Sequence, residues 1–382
     1  MKNLRVLICC IISILILFFA QTALAIEMDV PASAAILVEQ KSGRVLFSKD
    51  AHVPRPMAST TKIMTALIVL EECDLSDIVE IDRRMSGIEG SSMYLEVGER
   101  LTVEELLYGL MLRSGNDAAV ALAIHAGESL EGFVEMMNER ALAMGLENTS
   151  FTNPHGLHHE NHHTTAYELA IIAREAMEHE VFKEIITTDK KVVSWEGHEW
   201  NRVLSNKNQI LSLIEGGNGI KTGYTKAAGR CLVSSAVQEG MQLIAVTLNC
   251  QDDFNISAKL LQRGFDEFSM VLLAEKGAIL GQVKTDLGMA NVIAGEDIAL
   301  PMKGAEQLSY SIEIPASISG SYEKGAVVGW LDIFSNEERT SSERIANEGI
   351  ASEKIASFEL EIERSIDSDS FWGKIKMIMN NW

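Results

Sequence analysis

Two prolines, Pro54 and Pro56, lead into Met57-Ala58-Ser59-Thr60-Thr61-Lys62, and the apolar run Ile63-Met64-Thr65-Ala66-Leu67-Ile68-Val69-Leu70 follows at once. The prolines fix an extended entry, and a helix is compatible with everything from Ser59 onward. Residues three apart share a helix face, so Ser59 and Lys62 come side by side. A serine hydroxyl is a poor nucleophile until a neighbour takes its proton, which a neutral lysine amine can do. A helix start also offers free backbone N–H groups that suit an oxyanion. By itself Ser-x-x-Lys is a common chance match, and an ordinary capped helix explains it equally well.

The chain has 382 residues, enough for two domains or for one large domain with an appendage. With 47% hydrophobic and 23% charged residues it reads as a globular protein with a full core. The N-terminus differs from the rest. Lys2 and Arg5 precede the apolar run Val6 to Ala20, and Ala23-Leu24-Ala25 supplies the small residues of a cleavage site. This pattern predicts a secretory signal peptide over residues 1–25, too short for a comfortable spanning helix, and hence an exported protein. Cys9 and Cys10 lie early in the run, which argues against a lipoprotein site. The formal net charge is −21, and about −23 once Lys2 and Arg5 are removed. So acidic a chain excludes nucleic acid as a partner, because phosphate binding needs a basic face. Cys73, Cys231 and Cys250 remain after cleavage. An odd count spread this widely is no disulfide framework; it leaves one bridge open and favours buried free thiols.

Apolar runs at Ala34–Val38 and Arg44–Phe47 flank Gln40-Lys41-Ser42-Gly43 and predict a β-hairpin. The Ser59 helix ends before Cys73, Val79–Ile81 reads as extended, and Gly87–Ser92 as a loop. A helix from Val103 is capped by Thr102 and breaks at Arg113-Ser114-Gly115-Asn116-Asp117. Further helices are expected over Ala118–Ala126, Leu130–Met144 and Ala166–Met177, then strands near Val192–Trp195, Cys231–Ala236 and Leu243–Leu248, and a helix over Ala258–Phe268. Strand, helices and strand again make an α/β chain with both element types interleaved. Beyond Met270 short alternating runs such as Tyr310-Ser311-Ile312-Glu313-Ile314 predict a small β-domain without catalytic clustering. The expected division is 26–269 for the main domain, 270–360 for the β-domain and 361–382 for a linker and terminal helix. At the helical period Phe371, Trp372, Ile375, Ile378, Met379 and Trp382 fall within an arc of roughly 120°. Twelve residues cannot cross a bilayer, but this face can lie on a membrane surface; packing on its own domain is the alternative.

Two further motifs give Ser59 its company. Ser114-Gly115-Asn116 stands at a helix break, where a hydroxyl and an amide can face a cleft, although all three are also turn residues. Lys221-Thr222-Gly223 follows the loop Glu215-Gly216-Gly217-Asn218-Gly219 and precedes Tyr224-Thr225. On a strand, the lysine and threonine would line one edge, and the glycine would admit a substrate backbone. The three motifs in this order, with an apolar helix under the first, point to serine acyl transfer.

With Ser59-Thr60-Thr61-Lys62, Ser114-Gly115-Asn116 and Lys221-Thr222-Gly223, and with longer phrases such as Tyr108–Ala119 and Asn153-Pro154-His155-Gly156-Leu157, the chain resembles the low-molecular-mass penicillin-binding proteins that act as serine D-alanyl-D-alanine carboxypeptidases. The likeness is strong from Ala34 to Phe268, looser through the β-domain, and returns at Phe371-Trp372-Gly373-Lys374-Ile375. It implies an α+β serine penicillin-recognising domain, an antiparallel sheet with a cluster of helices, followed by a small all-β C-terminal domain. It further implies a peptidoglycan stem peptide as substrate, β-lactams as inhibitors, no cofactor, and work on the outer face of the bacterial cytoplasmic membrane. Ser59 would be the acyl-ester nucleophile, Lys62 the proton acceptor and Ser114, with Lys221, the relay. Asn116, Lys221, Thr222 and Gly223 would bind substrate, and the N–H groups of Ser59 and Tyr224 would form the oxyanion hole. A second ammonium nearby helps keep Lys62 neutral.

His155, His158, His159, His162 and His163 crowd a short stretch and invite a metal reading. No His-Glu-x-x-His is present, so no metal is expected. The resemblance puts His155 in a loop beside the cleft and the other four on the surface. A class A-type β-lactamase shares several of these elements, but Glu160 is the single acid in the His-rich loop and Gly115 stands where those enzymes usually carry aspartate. A non-catalytic penicillin-binding sensor is the rival of another class.

Overall fold

The computed structural model describes residues 29–195, 197–335 and 353–367. The expected signal peptide, residues 1–25, and the amphipathic segment, residues 371–382, lie outside these.

The predicted hairpin is present as β1 (Ala32–Glu39) and β2 (Val45–Lys49). A 3-10 turn, Ala58–Thr61, then leads into α1 (Lys62–Glu72), where the sequence predicts one continuous helix from Ser59. β3 (Ile78–Glu80) pairs with β4 (Arg100–Thr102). Next come α2 (Val103–Leu112), α3 (Asn116–Gly127), α4 (Leu130–Ala143), α5 (Ala166–Ala176) and α6 (Glu180–Thr187). β5 (Lys190–Val193) and β6 (Arg202–Ser205) form a second hairpin, and α7 (Ile210–Leu213) is a single turn. β7 (Gly217–Thr225), β8 (Gly229–Gln238), β9 (Met241–Cys250) and α8 (Asp253–Glu267) close this part.

The main sheet runs β2-β1-β9-β8-β7 with every neighbouring pair antiparallel. Side chains alternate across a strand. Ile36, Val38, Val233, Ile244, Val246 and Leu248 accordingly face the helical cluster and share its core. Leu37 and Leu243 face the other way, against α8 at Gly264. Because both faces are covered, β8 and β9 are buried along most of their length.

The helical cluster is built around α1, whose residues Lys62 to Val69 are all buried. Each fully buried Ile, Leu or Val contributes about 2 kcal/mol. Ile63, Leu67, Ile68 and Val69 thereby help offset the burial of a lysine head in the same helix. α2 begins with a capping box: Thr102 accepts from the Glu105 N–H at 3.1 Å while Glu105 accepts from the Thr102 N–H at 2.9 Å. That fixes where α2 starts; the helix ends at Leu112, before the break at Ser114.

The C-terminal part is all β, as expected: β10 (Ser269–Ala274), β11 (Ile279–Thr285), β12 (Gly288–Ala294), β13 (Ile298–Met302), β14 (Leu308–Glu313), β15 (Val327–Ser335) and β16 (Glu353–Ile362). Its main sheet has the order β11-β12-β16-β15-β14 over a separate core of Val283, Val292, Leu300, Ile333 and Leu360, among others. Arg44, buried immediately before β2, reaches across to Glu306 at 2.5 Å and donates to the carbonyl of Pro301. Lys303 pairs with Glu267 at 2.9 Å, and the cationic groups of Arg44 and Lys303 lie over the ring of Phe268. Cys73, Cys231 and Cys250 are free thiols, the last two buried.

Candidate active site

Ser59 sits in the 3-10 turn, half-buried, directly after Ala58, whose φ of +50° is unusual for a residue with a side chain. Two glycines make that turn possible. A Cβ on Gly156 would come within 1.9 Å of the Ala58 carbonyl oxygen, and one on Gly223 within 3.0 Å of the Ser59 nitrogen. The backbone before the nucleophile is therefore held between the loop at Gly156 and strand β7. Gly223, expected to admit a substrate backbone, admits the nucleophile's own turn.

Lys62, the first residue of α1, is completely buried. Its Nζ lies 3.2 Å from Ser59 Oγ, 2.7 Å from Asn116 Oδ1 and 2.7 Å from the carbonyl oxygen of His155. Burial drives its pKa well below 10.5, and the positive charge of Lys221 adds to the effect; the Asp117 carboxylate opposes it, and Lys207 lowers it further.

Ser114 occupies the break between α2 and α3 with φ +61°, buried beside Gly115, whose N–H donates to the carbonyl of Gly109 at 3.1 Å. Asn116 opens α3, and its amide is already engaged. Oδ1 accepts from Lys62 and Nδ2 donates to the carbonyl of Glu89 at 2.5 Å. One Nδ2 hydrogen and one Oδ1 lone pair are left for a ligand. The next residue, Asp117, is a hub. Its carboxylate accepts from the Ser92 hydroxyl (2.5 Å) and from the N–H groups of Met93 (3.0 Å), Leu95 (3.1 Å) and Ala118 (2.9 Å). It thereby ties the Ser91–Leu95 loop to the start of α3.

Lys221 lies on β7, the edge strand of the main sheet, and is 2% exposed. Burial, aided by the charge of Lys207, lowers its pKa to about 7. Its Nζ donates to the carbonyl of Thr222 at 3.0 Å, and among the described residues no hydrogen bond joins it to Ser114. Tyr224 is exposed beyond Gly223, opposite Arg230 in the β7–β8 register.

The histidine stretch corrects the sequence reading. His162 is not a surface residue but 2% exposed, packed edge-on to the Phe151 ring at 5.8 Å. Its pKa falls to about 4, first through burial and then through the charges of His163, His159, His158 and Lys62. His155 is lowered to about 3, again mainly by burial and next by Lys62. Glu160 is exposed, pointing to no deacylating role. Among the described residues no three His, Cys, Asp or Glu side chains cluster as metal ligands would.

Thr61 and Asp117 lie inside the quoted motifs without a role assigned to them, and Lys207 lies outside every motif. Lys207, whose Nζ donates to the carbonyl of Arg113 at 3.3 Å, gave no signal beyond its own positive charge.

A family model described as D-alanyl-D-alanine carboxypeptidase matches residues 20–252. The chain is 34% identical over 348 residues to the D-alanyl-D-alanine carboxypeptidase DacF of Bacillus subtilis, covering 86% of this chain and 89% of that one. It is 34% identical over 352 residues to DacC of Escherichia coli, with 85% and 86% covered. Penicillin binding protein 5 from Haemophilus influenzae superimposes with a TM-score of 0.70 at 27% identity, over 89% of this chain and 98% of that one.

Proposed function

The chain belongs to the D-alanyl-D-alanine carboxypeptidase family, and from that we infer a mechanism in which Ser59 attacks the carbonyl between the two terminal D-alanines of a peptidoglycan stem pentapeptide. The observation that carries it is the environment of Lys62 Nζ. A neutral amine has two hydrogens and one lone pair. The two short contacts, to Asn116 Oδ1 and the His155 carbonyl, take the hydrogens, because neither acceptor can donate. The third contact, at 3.2 Å, then sets the lone pair against the Ser59 hydroxyl. Burial and the Lys221 charge favour that neutral form.

Ser59 O–H gives its proton to Lys62 as Oγ adds to the carbonyl carbon. The oxyanion is met by the N–H groups of Ser59 and Tyr224, each donor worth roughly 3 kcal/mol. Ser114 and Lys221 pass the proton to the departing amine, the C–N bond breaks, and D-alanine leaves an ester on Ser59. Water, activated by Lys62, hydrolyses that ester to release the tetrapeptide. Lys221, in its charged form, and Thr222 hold the terminal carboxylate, Asn116 holds the substrate amide through its remaining capacity, and the narrow Gly223 keeps β7 close. A β-lactam presents a strained amide to the same serine and stops at the ester.

The test is direct. The protein is incubated with a stem pentapeptide and free D-alanine is measured, and benzylpenicillin adducts are mapped by mass spectrometry. Release of D-alanine together with an adduct on the Ser59 peptide is expected. An adduct without release would replace the enzyme by a penicillin-binding sensor, and the absence of both would overturn the assignment.

The site of action follows from the two ends of the sequence. The Lys2–Ala25 pattern supports export, and the aromatic face of Phe371–Trp382 supports a foot on the membrane surface. No helix among the described residues is long and apolar enough to span a bilayer. Removing residues 371–382 is expected to shift the protein from the membrane pellet to the soluble fraction with unchanged D-alanine release. Retention in the pellet would sink the anchor.

A further inference from the structure

We propose that His162 is a positioning residue for the nucleophile, acting through the Thr61 hydroxyl on the carbonyl of Ala58. Hydrogen-bond direction fixes the tautomer of the ring. The backbone N–H of Thr152 points at His162 Nδ1, 3.0 Å away, and an N–H can only donate. Nδ1 is therefore the acceptor nitrogen, and in a neutral ring Nε2 carries the hydrogen. Burial and the surrounding His163, His159, His158 and Lys62 keep the ring neutral, with its pKa at about 4.

Nε2–H then donates to Thr61 Oγ1 at 2.7 Å. Thr61 has one hydroxyl hydrogen, and with Nε2 as donor that hydrogen is free for the Ala58 carbonyl, 2.8 Å away. The sequence Thr152 N–H, His162, Thr61, Ala58 C=O runs in one direction and ends on the residue before Ser59. Ala58 is also the residue with φ +50°, a conformation that persists only where its surroundings over-determine it. Two further contacts fasten the same loop to the buried face of α1. The His155 carbonyl accepts from Lys62, and the Pro154 carbonyl accepts from Thr65 Oγ1 at 2.6 Å. An antiparallel bridge between Arg55 and Thr164 closes the loop's far end onto the entry segment. His162 thus stands where the loop that aims a carbonyl at Lys62 meets the turn that aims Ser59.

This inference rests on the acyl-transfer reading of the site, and the experiment separates the two. Wild-type protein that neither releases D-alanine nor reacts with a fluorescent penicillin would overturn that reading, and with it the role of His162. With wild type active, His162→Gln, His162→Asn, Thr61→Val and the His162→Asn/Thr61→Val pair are compared in kcat, KM, penicillin acylation rate and melting temperature. Glutamine can place an amide N–H where Nε2 sits, whereas asparagine can answer only the Thr152 N–H. His162→Asn and Thr61→Val should each lower kcat and the acylation rate about 10- to 100-fold, as a misplacement of around 1 Å does. KM should stay within about twofold, and the pair should be no slower than the worse single variant, because both act through one path. His162→Gln should recover to within about threefold of wild type. The proposal fails if Thr61→Val keeps wild-type kcat and acylation, if His162→Asn does so, or if the two losses multiply in the pair. Should His162→Asn not fold, Thr61→Val and His162→Gln decide between the same outcomes.

Discussion

Ser59→Ala is expected to abolish D-alanine release and penicillin labelling together, with activity falling on the order of 10⁴- to 10⁶-fold. The size follows from the part the hydroxyl plays. Without Oγ there is no ester, and Lys62 is left to activate a water in a pocket shaped for direct attack by the chain itself. The variant should fold normally, because Ser59 is half-buried and, among the described residues, its hydroxyl has one hydrogen bond, at 3.2 Å to Lys62. Measured by single-turnover D-alanine release and by intact mass after penicillin, any covalent adduct on the alanine variant would show that another residue is the nucleophile. Substrate binding, read by isothermal calorimetry, should survive within a few fold, since Lys221, Thr222 and Asn116 are untouched.

Lys62→Arg should cost almost as much, about 10³- to 10⁴-fold in kcat/KM, although hydrogen-bond donors and approximate length are kept. A guanidinium does not give up its proton in a protein and has no acceptor site. It could satisfy Asn116 Oδ1 and the His155 carbonyl, but it could not take the Ser59 proton. The pH profile of the wild type makes the same point from the other side. In the proposed mechanism Lys62 is neutral and Lys221 charged. Activity should therefore rise as pH climbs through the depressed pKa of Lys62 and fall as it climbs through that of Lys221, which lies at about 7 in the empty enzyme. Lys221→Arg, which stays charged, should move the alkaline limb to higher pH. A limb that stays in place would assign it to another group. A Lys62→Arg enzyme within tenfold of wild type would remove Lys62 from the role of base.

The extent to which the chain can be read from its residues follows the range of the forces involved. Thr102 and Glu105 announce the start of α2 because a capping box is a local device, complete within four residues. Ser59 and Lys62 are neighbours by helical spacing, and the structure brings them within 3.2 Å. The 3-10 turn at Ala58 is different. Its left-handed backbone fits only in the room left by Gly156 and Gly223, both distant in sequence, so nothing near Ser59 reports it. The first residues of β7 read as a loop for a related reason. Gly217-Asn218-Gly219 has turn composition, and it is extended only because Gly217 and Gly219 pair with Ala236 and Ser235 of β8. α6, with Phe182, Ile185 and Ile186 turned inward, carries no strong local signal: it is 8 residues long with Val181, Ile185, Ile186 and Thr187 β-branched, and packing supplies the helix. His162 was hidden in a polar run, where no periodicity marks which ring turns inward.

The two buried lysines also bear on how durable the protein can be. Lys62 and Lys221 are each almost wholly removed from water, and both carry depressed pKa values, which means that folding works against their preference to be charged. Apolar residues of the same shape would be content there. The pocket is in this sense a permanent local weakness that the apolar core around α1 and β8 must outweigh. Heat resistance and catalytic competence draw on the same few ångströms of dry protein, and a more thermostable relative would have to find its gain elsewhere in the chain.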